Sequence, residues 1–368
     1  MAFDWTKVGA RPAPDEIEIS VMGPGFGESI ACHLGTNEWF IVDSCIESGQ
    51  ARPAVLNYLN AIGVDPATSV KVVVATHWDQ DHVRGLGQVI RACKTADFCC
   101  AKAFVGDEFQ YYIDELSIGP QDRGTKDIQQ AFDAVWDSGR TCRQAVPGKV
   151  LLRRSLATGG VIELLSLSPS DKEYDLFLQE IALMRPAALE PMRVSVARSP
   201  NLASVVTTLV LDDDWAVLLG ADMERRPEPD RGWSSVISES VRLSLKRSVV
   251  VKIPHHGSEN AHDEGMWQQM LEPAPIAVIA PFSKGPAESR PPTATDIRRI
   301  RERTSQLLVT ARHATSRPPA RDPAVTRGLR DSDIKTRSLA KPLGLVRLRK
   351  ARQASWTAEL FGPAYKVA

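Results

Sequence analysis

Residues 70–82 read VKVVVATHWDQDH, and this stretch decides the fold. It begins with a short, β-branched apolar run at 70–75, which is typical of a strand buried on both faces. Apolar residues recur at helical spacing from Val83 onward. Between the two lies a group of imidazole and carboxylate side chains, His77, Asp79, Asp81 and His82. The stretch therefore predicts a buried strand that presents polar side chains at its end and is followed by a helix.

Other strand-like runs end in the same kinds of residue. One ends at Asp43, another at Asp222, and a third at the pair His255 and His256. A rigid sheet presents side chains from the loops at its strand ends, and strands that end at one edge would bring these groups together. So many carboxylates at one point repel one another unless cations neutralise them. Carboxylate with imidazole suits Zn²⁺ and also Mn²⁺ or iron, so the sequence predicts a metal site.

Each motif also has a simpler explanation. Asp79 or Asp81 would cap the helix that starts near Val83. Asp222 would serve a turn, and the two adjacent histidines would form a buried, hydrogen-bonded pair. However, a capping aspartate at 79 or 81 does not need a histidine before and after it. The residues at 77–82, Asp222 and the histidine pair also each follow a buried strand directly. Their joint occurrence favours the metal hypothesis.

The rest of the chain predicts a sandwich of two sheets. Strands joined by short turns open the chain, and strands and helices then alternate. The glycine-rich turn at 23–28 precedes a strand and not a helix, which argues against a dinucleotide-binding loop. The strands outnumber what one flat sheet needs, so two sheets packed face to face with helices outside fit the pattern. The strand-like runs are 16–22, 29–35, 38–45, 70–75, 161–170, 204–222, 247–258, 275–282, 305–311 and 343–361.

Two segments stand apart from this pattern within a single predicted domain, 1–368. Residues 101–150 predict two helices separated by a polar stretch, and we interpret them as an insertion or cap that would cover the edge carrying the metals. Residues 312–342 are rich in Arg, Pro and Ser, which indicates a basic flexible arm or long loop.

Composition gives no sign of a membrane protein, a secreted protein or a strongly basic nucleic-acid-binding protein. Lys plus Arg and Asp plus Glu number 45 each, so a nucleic-acid partner would have to bind a local basic patch. No apolar run reaches the roughly 18–20 residues of a membrane span, and the N-terminus lacks the apolar region of a secretory signal. The six cysteines include no CxxC pair, which is typical of reduced thiols. We therefore expect a cytoplasmic protein with no membrane contact.

Residues 76–82 resemble the HxHxDH signature of the metallo-β-lactamase superfamily, in an HxDxDH variant. The branch that the chain resembles includes the hydrolase domain of DNA-internalisation competence proteins. Further matching motifs are IVDS at 41–44, Asn201 with Ser204, and VKIPHHGS at 251–258. The resemblance covers about 15–285 and the hairpin 343–361, interrupted by 101–150. It implies a four-layer αβ/βα sandwich, here with a helical insertion.

The resemblance also implies two divalent metal ions, Zn²⁺ in first place and Mn²⁺ in second. His77 and Asp79 would serve the first ion, Asp81, His82 and one histidine of the pair the second, and Asp222 would bridge. Of the pair, we favour His256 as the ligand and His255 as a catalytic or orienting neighbour. Asp81 is expected to be catalytic as well as a metal ligand. Asp79 replaces the second histidine of the common signature, and the family's middle histidine ligand has no counterpart. The residues expected to orient the ligands are Asp43, Asn201 and Ser258.

The activity implied by the resemblance is that of a phosphodiesterase or nuclease that attacks with a metal-bound hydroxide, because cations lower the pKa of water from about 16 to about 7. A nucleic acid or nucleotide is thus the expected substrate. The many cations in 312–352 would either contact phosphates or belong to a solvated, flexible arm. The alternatives are a hydrolase of an ester, lactone or thioester, and a non-catalytic scaffold in a complex. Those cations are Arg312, Arg317, Arg321, Arg327, Arg330, Lys335, Arg337, Lys341, Arg347, Arg349, Lys350 and Arg352.

Overall fold

Two eight-stranded sheets make up the centre of the molecule. The computed structural model describes residues 2–106, 109–110, 113, 123–157, 159–184, 200–212, 214–284, 290–312, 325, 327–328, 342–351 and 353–368. The strands are β1 Ile17–Gly23, β2 Ser29–Leu34, β3 Trp39–Val42, β4 Val70–Val74, β5 Asp97–Ala101, β6 Cys142–Ala145, β7 Lys149–Ser155, β8 Val161–Ser166, β9 Thr207–Leu211, β10 Trp215–Leu219, β11 Ser248–Lys252, β12 Leu271–Ile279, β13 Gln306–Val309, β14 Gly344–Lys350, β15 Thr357–Phe361 and β16 Tyr365–Lys366.

Both sheets mix antiparallel and parallel pairs. The first runs β15-β14-β1-β2-β3-β4-β5-β6, antiparallel as far as β3 and parallel from β3 to β6. The second runs β16-β13-β12-β11-β10-β9-β8-β7, with parallel pairs from β10 to β13. The predicted strands are confirmed, including the hairpins β9–β10 and β14–β15. Four strands were not predicted, namely β5, β6, β7 and the two-residue β16.

The helices are α1 Ala54–Ala61, α2 Pro66–Ser69, α3 Gln80–Val83, α4 Leu86–Ala92, α5 Arg123–Trp136, α6 Asp171–Met184, α7 Gly232–Arg242 and α8 Ala294–Arg301. One apolar cluster joins inward residues of both sheets, such as Val21 and Leu164, to α1, α4 and α5. A second cluster joins the second sheet to Trp233 of α7 and Ile300 of α8. The predicted fold class, an αβ/βα sandwich, is confirmed.

Parallel pairing sets the position of the predicted site. β3 pairs with β4, so Asp43 and Thr76 follow neighbouring strands of the first sheet. β10 pairs with β11, so Asp222 follows a strand beside the one that leads into the histidine pair. Since parallel strands end at the same edge, each sheet brings its polar strand ends together there.

The range 101–150 differs from the prediction of helices alone. β6 forms the edge of the first sheet through its pairing with β5, and β7 begins at Lys149. β6 was missed because its four residues, CRQA, are short and mostly polar, so their only strand signal is the pairing itself. α5 lies on the first sheet, where Phe132 contacts Phe98 edge-on. The role of this range as a separate insertion or cap stays a prediction.

Other predicted segments fall largely outside the described residues. Most of the first helix predicted within 101–150 does so, as do 185–199 and, apart from 312, 325, 327–328 and 342, the basic arm. Among the described helices, none combines the length and the apolar character that crossing a membrane requires.

Close contact between α4 and α5 generates a stability prediction. A Cβ atom at Gly87 would lie 2.7 Å from the carbonyl oxygen of Gln130, a backbone atom that cannot rotate away. Overpacking of this kind costs about 1–3 kcal/mol, whereas the higher helix propensity of alanine returns about 1 kcal/mol. We expect Gly87→Ala to lower the free energy of unfolding in urea by up to about 2 kcal/mol. A variant as stable as the wild type, or more stable, would show that α4 and α5 can move apart slightly without a cost in free energy.

Candidate metal centre

The strand ends that form the candidate site have strained backbones. Asp43, Ala221, His255 and His256 have φ angles of 59°, 46°, 43° and 54°. Residues with side chains rarely adopt this left-handed region, which costs on the order of 1–3 kcal/mol for each. Such strain persists where the surrounding structure holds it, and here it lies at the ends of β3, β10 and β11.

Four predicted ligands converge in one buried group. One ligand atom from each of Asp81, His82, Asp222 and His256 lies within 4.8 Å of the others. His256 Nε2 is 3.1 Å from Asp81 Oδ2 and 3.2 Å from Asp222 Oδ2. His82 Nε2 lies 3.4 Å from the same Asp222 oxygen. The two sheets thus contribute two residues each to a single cluster.

The ring of His82 makes a hydrogen bond to Asp43. Its Nδ1 lies 2.7 Å from Asp43 Oδ2, which also accepts from the Thr76 hydroxyl. The other carboxylate oxygen of Asp43 accepts from the Thr76 backbone N–H. Because both oxygens of Asp43 are engaged, its carboxylate fixes the ring and leaves His82 Nε2 directed into the cluster.

His256 is held in the same manner by the backbone. Its Nδ1 lies 2.8 Å from the Ala280 carbonyl oxygen, which is an acceptor, so Nδ1 carries the proton. Nε2 is therefore the nitrogen that faces Asp81 and Asp222. Of the adjacent histidines, His256 is the one whose geometry fits a ligand.

His77 and Asp79 lie beside this group. His77 Nδ1 is 2.9 Å from the Thr76 hydroxyl, and its ring centroid is 4.2 Å from that of His82. Asp79 Oδ2 is 3.7 Å from His77 Nε2, and the Asp79 side chain is 42% exposed. Asp79 occupies the N-cap position of α3, but its side chain makes no capping hydrogen bond. The simpler explanation by capping therefore does not account for Asp79.

The donor set fits a divalent cation. His77 Nε2, His82 Nε2 and Asp222 Oδ1 are buried and have no hydrogen-bond partner among the described residues. Leaving such atoms buried without partners costs free energy, and a bound cation would satisfy them. Nitrogen and carboxylate donors together suit Zn²⁺ or Mn²⁺. The residues that would hold it are His77, Asp81, His82, Asp222 and His256.

His255 faces away from the cluster into a polar network. Its Nδ1 lies 3.0 Å from Asn260 Oδ1, and its Nε2 lies 3.3 Å from Asn201 Nδ2. Asn201 Nδ2 also donates to Glu224 Oε1 at 2.9 Å. Asn201 thus orients His255 and not a member of the ligand cluster. Ser258 contributes its backbone N–H to the carbonyl of His255.

Sequence reasoning missed three charged residues of this region, Glu28, Lys252 and Glu224. Glu28 and Lys252 form a fully buried ion pair, with Nζ 2.6 Å from Oε1. A lysine at the end of an otherwise apolar strand, and an acid in a tight glycine turn, were the available signals. Gly27 in that turn has a φ of 102°, and a Cβ there would lie 2.8 Å from Cys45 Cβ.

Burial and charge together shift the pKa values of the cluster. Burial lowers the pKa of His256, but Asp222 and Asp81 outweigh it and raise that pKa to about 10. The pKa of His82 is likewise raised against burial, chiefly by Asp222 and Asp43. Burial raises the pKa of Asp81, yet His82 and His256 outweigh it and lower the pKa to about 2. His77 differs, since burial and His82 both lower its pKa.

Residues 24–133 match the sequence family described as the metallo-beta-lactamase superfamily. The match spans the glycine turn, Asp43 and the whole of 76–82. The fold is that of the metallo-β-lactamase superfamily. Its members are typically metallohydrolases, in agreement with the predicted class of enzyme, and the competence-protein branch stays a prediction.

Solved structures with this metallo-β-lactamase fold show low identity to the chain. The metallo-beta-lactamase fold protein YhfI from Bacillus subtilis is 11% identical over 80% of this chain and 95% of that one, with a TM-score of 0.40. Zn²⁺-bound PqqB from Methylobacterium extorquens is 12% identical over 77% and 84%, with a TM-score of 0.36. Metallo-beta-lactamase SMB-1 is 13% identical over 68% and 82%, with a TM-score of 0.33. Among curated protein sequences, none matches this chain significantly.

The raised pKa of His256 predicts how the stability of the metal-free protein depends on pH. A histidine whose pKa rises on folding stabilises the protein below its unfolded pKa of about 6.5 and loses that contribution as the pH rises toward about 10. We expect unfolding in chelator to become easier between pH 7 and 9.5, with a shallower slope in His256→Gln.

His262→Gln is the matched control for this experiment. The pKa of His262 is lowered, chiefly by burial, so it does not titrate in this window and its variant should keep the wild-type slope. Equal slopes in all three proteins would show that His256 is not held protonated by Asp81 and Asp222.

Proposed function

We propose that this protein is a metal-dependent hydrolase of phosphodiesters, a phosphodiesterase or nuclease. The observation that carries the proposal is the convergence of Asp81, His82, Asp222 and His256 from both sheets, with His77 alongside. Among the described residues, the buried Nε2 atoms of His77 and His82 have no hydrogen-bond partner. A bound cation would supply Lewis-acid polarisation and a lowered pKa for water.

The protein's own residues keep the ligand atoms in place. Asp43 and the Ala280 carbonyl fix the rings of His82 and His256, so both present Nε2 to the same space. Thr76 links Asp43 to His77 through its hydroxyl. This arrangement limits the rearrangement that substrate binding requires, which is the general advantage of a preorganised polar site.

His255 is the candidate for contact with substrate. Its side chain is 21% exposed, whereas His77, His82 and His256 are buried. Both ring nitrogens are engaged by asparagine side chains, Asn260 at Nδ1 and Asn201 at Nε2. This favours a fixed orienting role beside the attacked group over a role in proton transfer.

The phosphodiester class rests on the motifs at 76–82 and 251–258, which resemble those of the competence-protein branch. The basic C-terminal stretch lends it less support than the sequence suggested. Arg347 is 2% exposed, pairs with Glu359 at 2.9 Å and donates to the Val8 carbonyl. Arg349 pairs with Glu18 at 2.8 Å. Because both arginines are used within the fold, a phosphate backbone would have to contact other cations.

Substitution of two ligands tests the activity. In His77→Ala and Asp222→Ala, we expect cleavage of bis-p-nitrophenyl phosphate with added Zn²⁺ or Mn²⁺ to fall at least about 100-fold, since outer partners alone are worth 10–100-fold. Circular dichroism should show an intact fold, and mass spectrometry of the native protein should show fewer bound ions than in the wild type.

Controls separate this activity from its alternatives. His262→Ala, outside the ligand cluster, should keep wild-type cleavage. Metal-dependent hydrolysis of a lactone or thioester without diester cleavage would replace the phosphodiester assignment. A wild-type protein that binds no metal and cleaves neither substrate would point to the scaffold alternative.

A further inference from the structure

Two opposite charges lie buried beneath the ligand cluster. Glu28 and Lys252 are each 1% exposed, and their Oε1 and Nζ atoms are 2.6 Å apart. Glu28 ends the glycine turn after β1, and Lys252 is the last residue of β11. The proposed reaction assigns no step to either residue. A buried ion pair is often no more stabilising than apolar side chains of similar size, so its presence calls for another explanation.

The contacts of Lys252 lead to Asp222. Its Nζ donates to the Ala221 carbonyl oxygen at 3.2 Å and lies 3.7 Å from Asp222 Oδ1. Ala221 has a φ of 46°, a conformation that alanine rarely adopts. The ammonium group therefore holds the strained peptide that delivers Asp222. It lies on the Oδ1 side, while Oδ2 faces His82 and His256.

The contacts of Glu28 lead to the other ligands. Its backbone N–H donates to the Asp81 carbonyl at 2.9 Å. Its carboxylate oxygens lie 3.9 Å from His82 Nδ1 and 3.8 Å from His256 Nδ1. Glu28 and Lys252 together thus touch the segments of all four residues in the ligand cluster, from both sheets.

We propose that the Glu28–Lys252 ion pair positions Asp222 for metal binding. Lys252 is a positioning residue here, acting through Ala221 and Asp222, and Glu28 keeps its ammonium group at that place. This role rests on the metal centre of the proposed function. It does not depend on which substrate the enzyme cleaves.

A pure charge effect would act in the opposite direction. Removing Lys252 alone takes a positive charge away from a cation site, which by Coulomb's law strengthens metal binding. Replacing both partners by neutral residues leaves the net charge unchanged. Glu28→Gln/Lys252→Met therefore separates positioning from charge. Lys252→Met alone would leave the carboxylate of Glu28 buried without its partner, which strongly destabilises a fold.

The test measures the affinity for Zn²⁺ and the melting temperature of the metal-free full-length protein. We expect Lys252→Met to lower the melting temperature by on the order of 10 °C, and the double variant to recover most of that loss. In the recovered double variant, Zn²⁺ affinity should remain about 10- to 100-fold below wild type, the range seen when partners of metal ligands are removed.

A matched control is the ion pair of Glu18, which is buried, and Arg349, whose side chain is 15% exposed, at the far end of β1, with Nε 2.8 Å from Oε2. Glu18→Gln/Arg349→Met should leave Zn²⁺ affinity within about twofold of wild type, whatever its effect on melting. If Glu28→Gln/Lys252→Met does not fold, Glu28→Gln/Lys252→Gln replaces it. That pair can hydrogen-bond across the same gap, but residue 252 is then too short to reach Asp222, so the same loss is expected.

Recovery of both stability and Zn²⁺ affinity in the double variant would overturn the positioning role and leave an ion pair that only stabilises the fold. An equal loss of affinity in the Glu18 and Arg349 control would overturn it too. Wild-type protein without affinity for Zn²⁺ or Mn²⁺ would instead reject the metal centre on which both proposals rest. A wild type that binds metal but does not cleave diesters would reject only the proposed substrate class.

Discussion

The structure depends on one electrostatic constraint, which is that several carboxylates and imidazoles are buried together where the two sheets meet. Asp81 and Asp222 face His82 and His256 at distances of 3.1–3.8 Å. Groups of this kind are expensive to bury unless each finds a partner or a cation. The backbone adopts strained φ angles at Asp43, Ala221 and His256, where the chain leaves the strands and enters this buried group. Packing of the two sheets holds these residues in place despite their strain.

Partners around the cluster are arranged in layers. Asp43, Thr76 and the Ala280 carbonyl fix the orientation of the histidine rings. Beneath them, Glu28 and Lys252 contribute an opposed pair of charges that connects the glycine turn to the end of β11. A polar network that includes Asn201 and Glu224 orients His255 at the exposed side. Under the proposed function, metal binding, ligand orientation and contact with substrate would thus fall to different residues, and substitutions can test them separately.

Much of the fold was predictable because its central strands carry strong local signals. The runs that became β4 and β11 are rich in valine, and the run that became β10 is wholly apolar. This is the pattern of strands buried on both faces. The capping box at Thr293 and Asp296 marks the start of α8 equally clearly. β6 carries no such signal, because its four partly exposed residues become a strand only by pairing with β5.

The sequence by itself determined which residue types stand at the strand ends. It therefore predicted that His77, Asp81, His82, Asp222 and the histidine pair contribute to one metal site. Only the tertiary structure decided which histidine of that pair faces the cluster, since His256 and His255 are adjacent and differ only in where the strained backbone directs them. It also decided that Lys252 and Glu28 meet. They are more than two hundred residues apart in the sequence, so the local sequence pattern does not predict this contact. Contacts between distant segments arise from packing and not from the pattern of neighbouring residues.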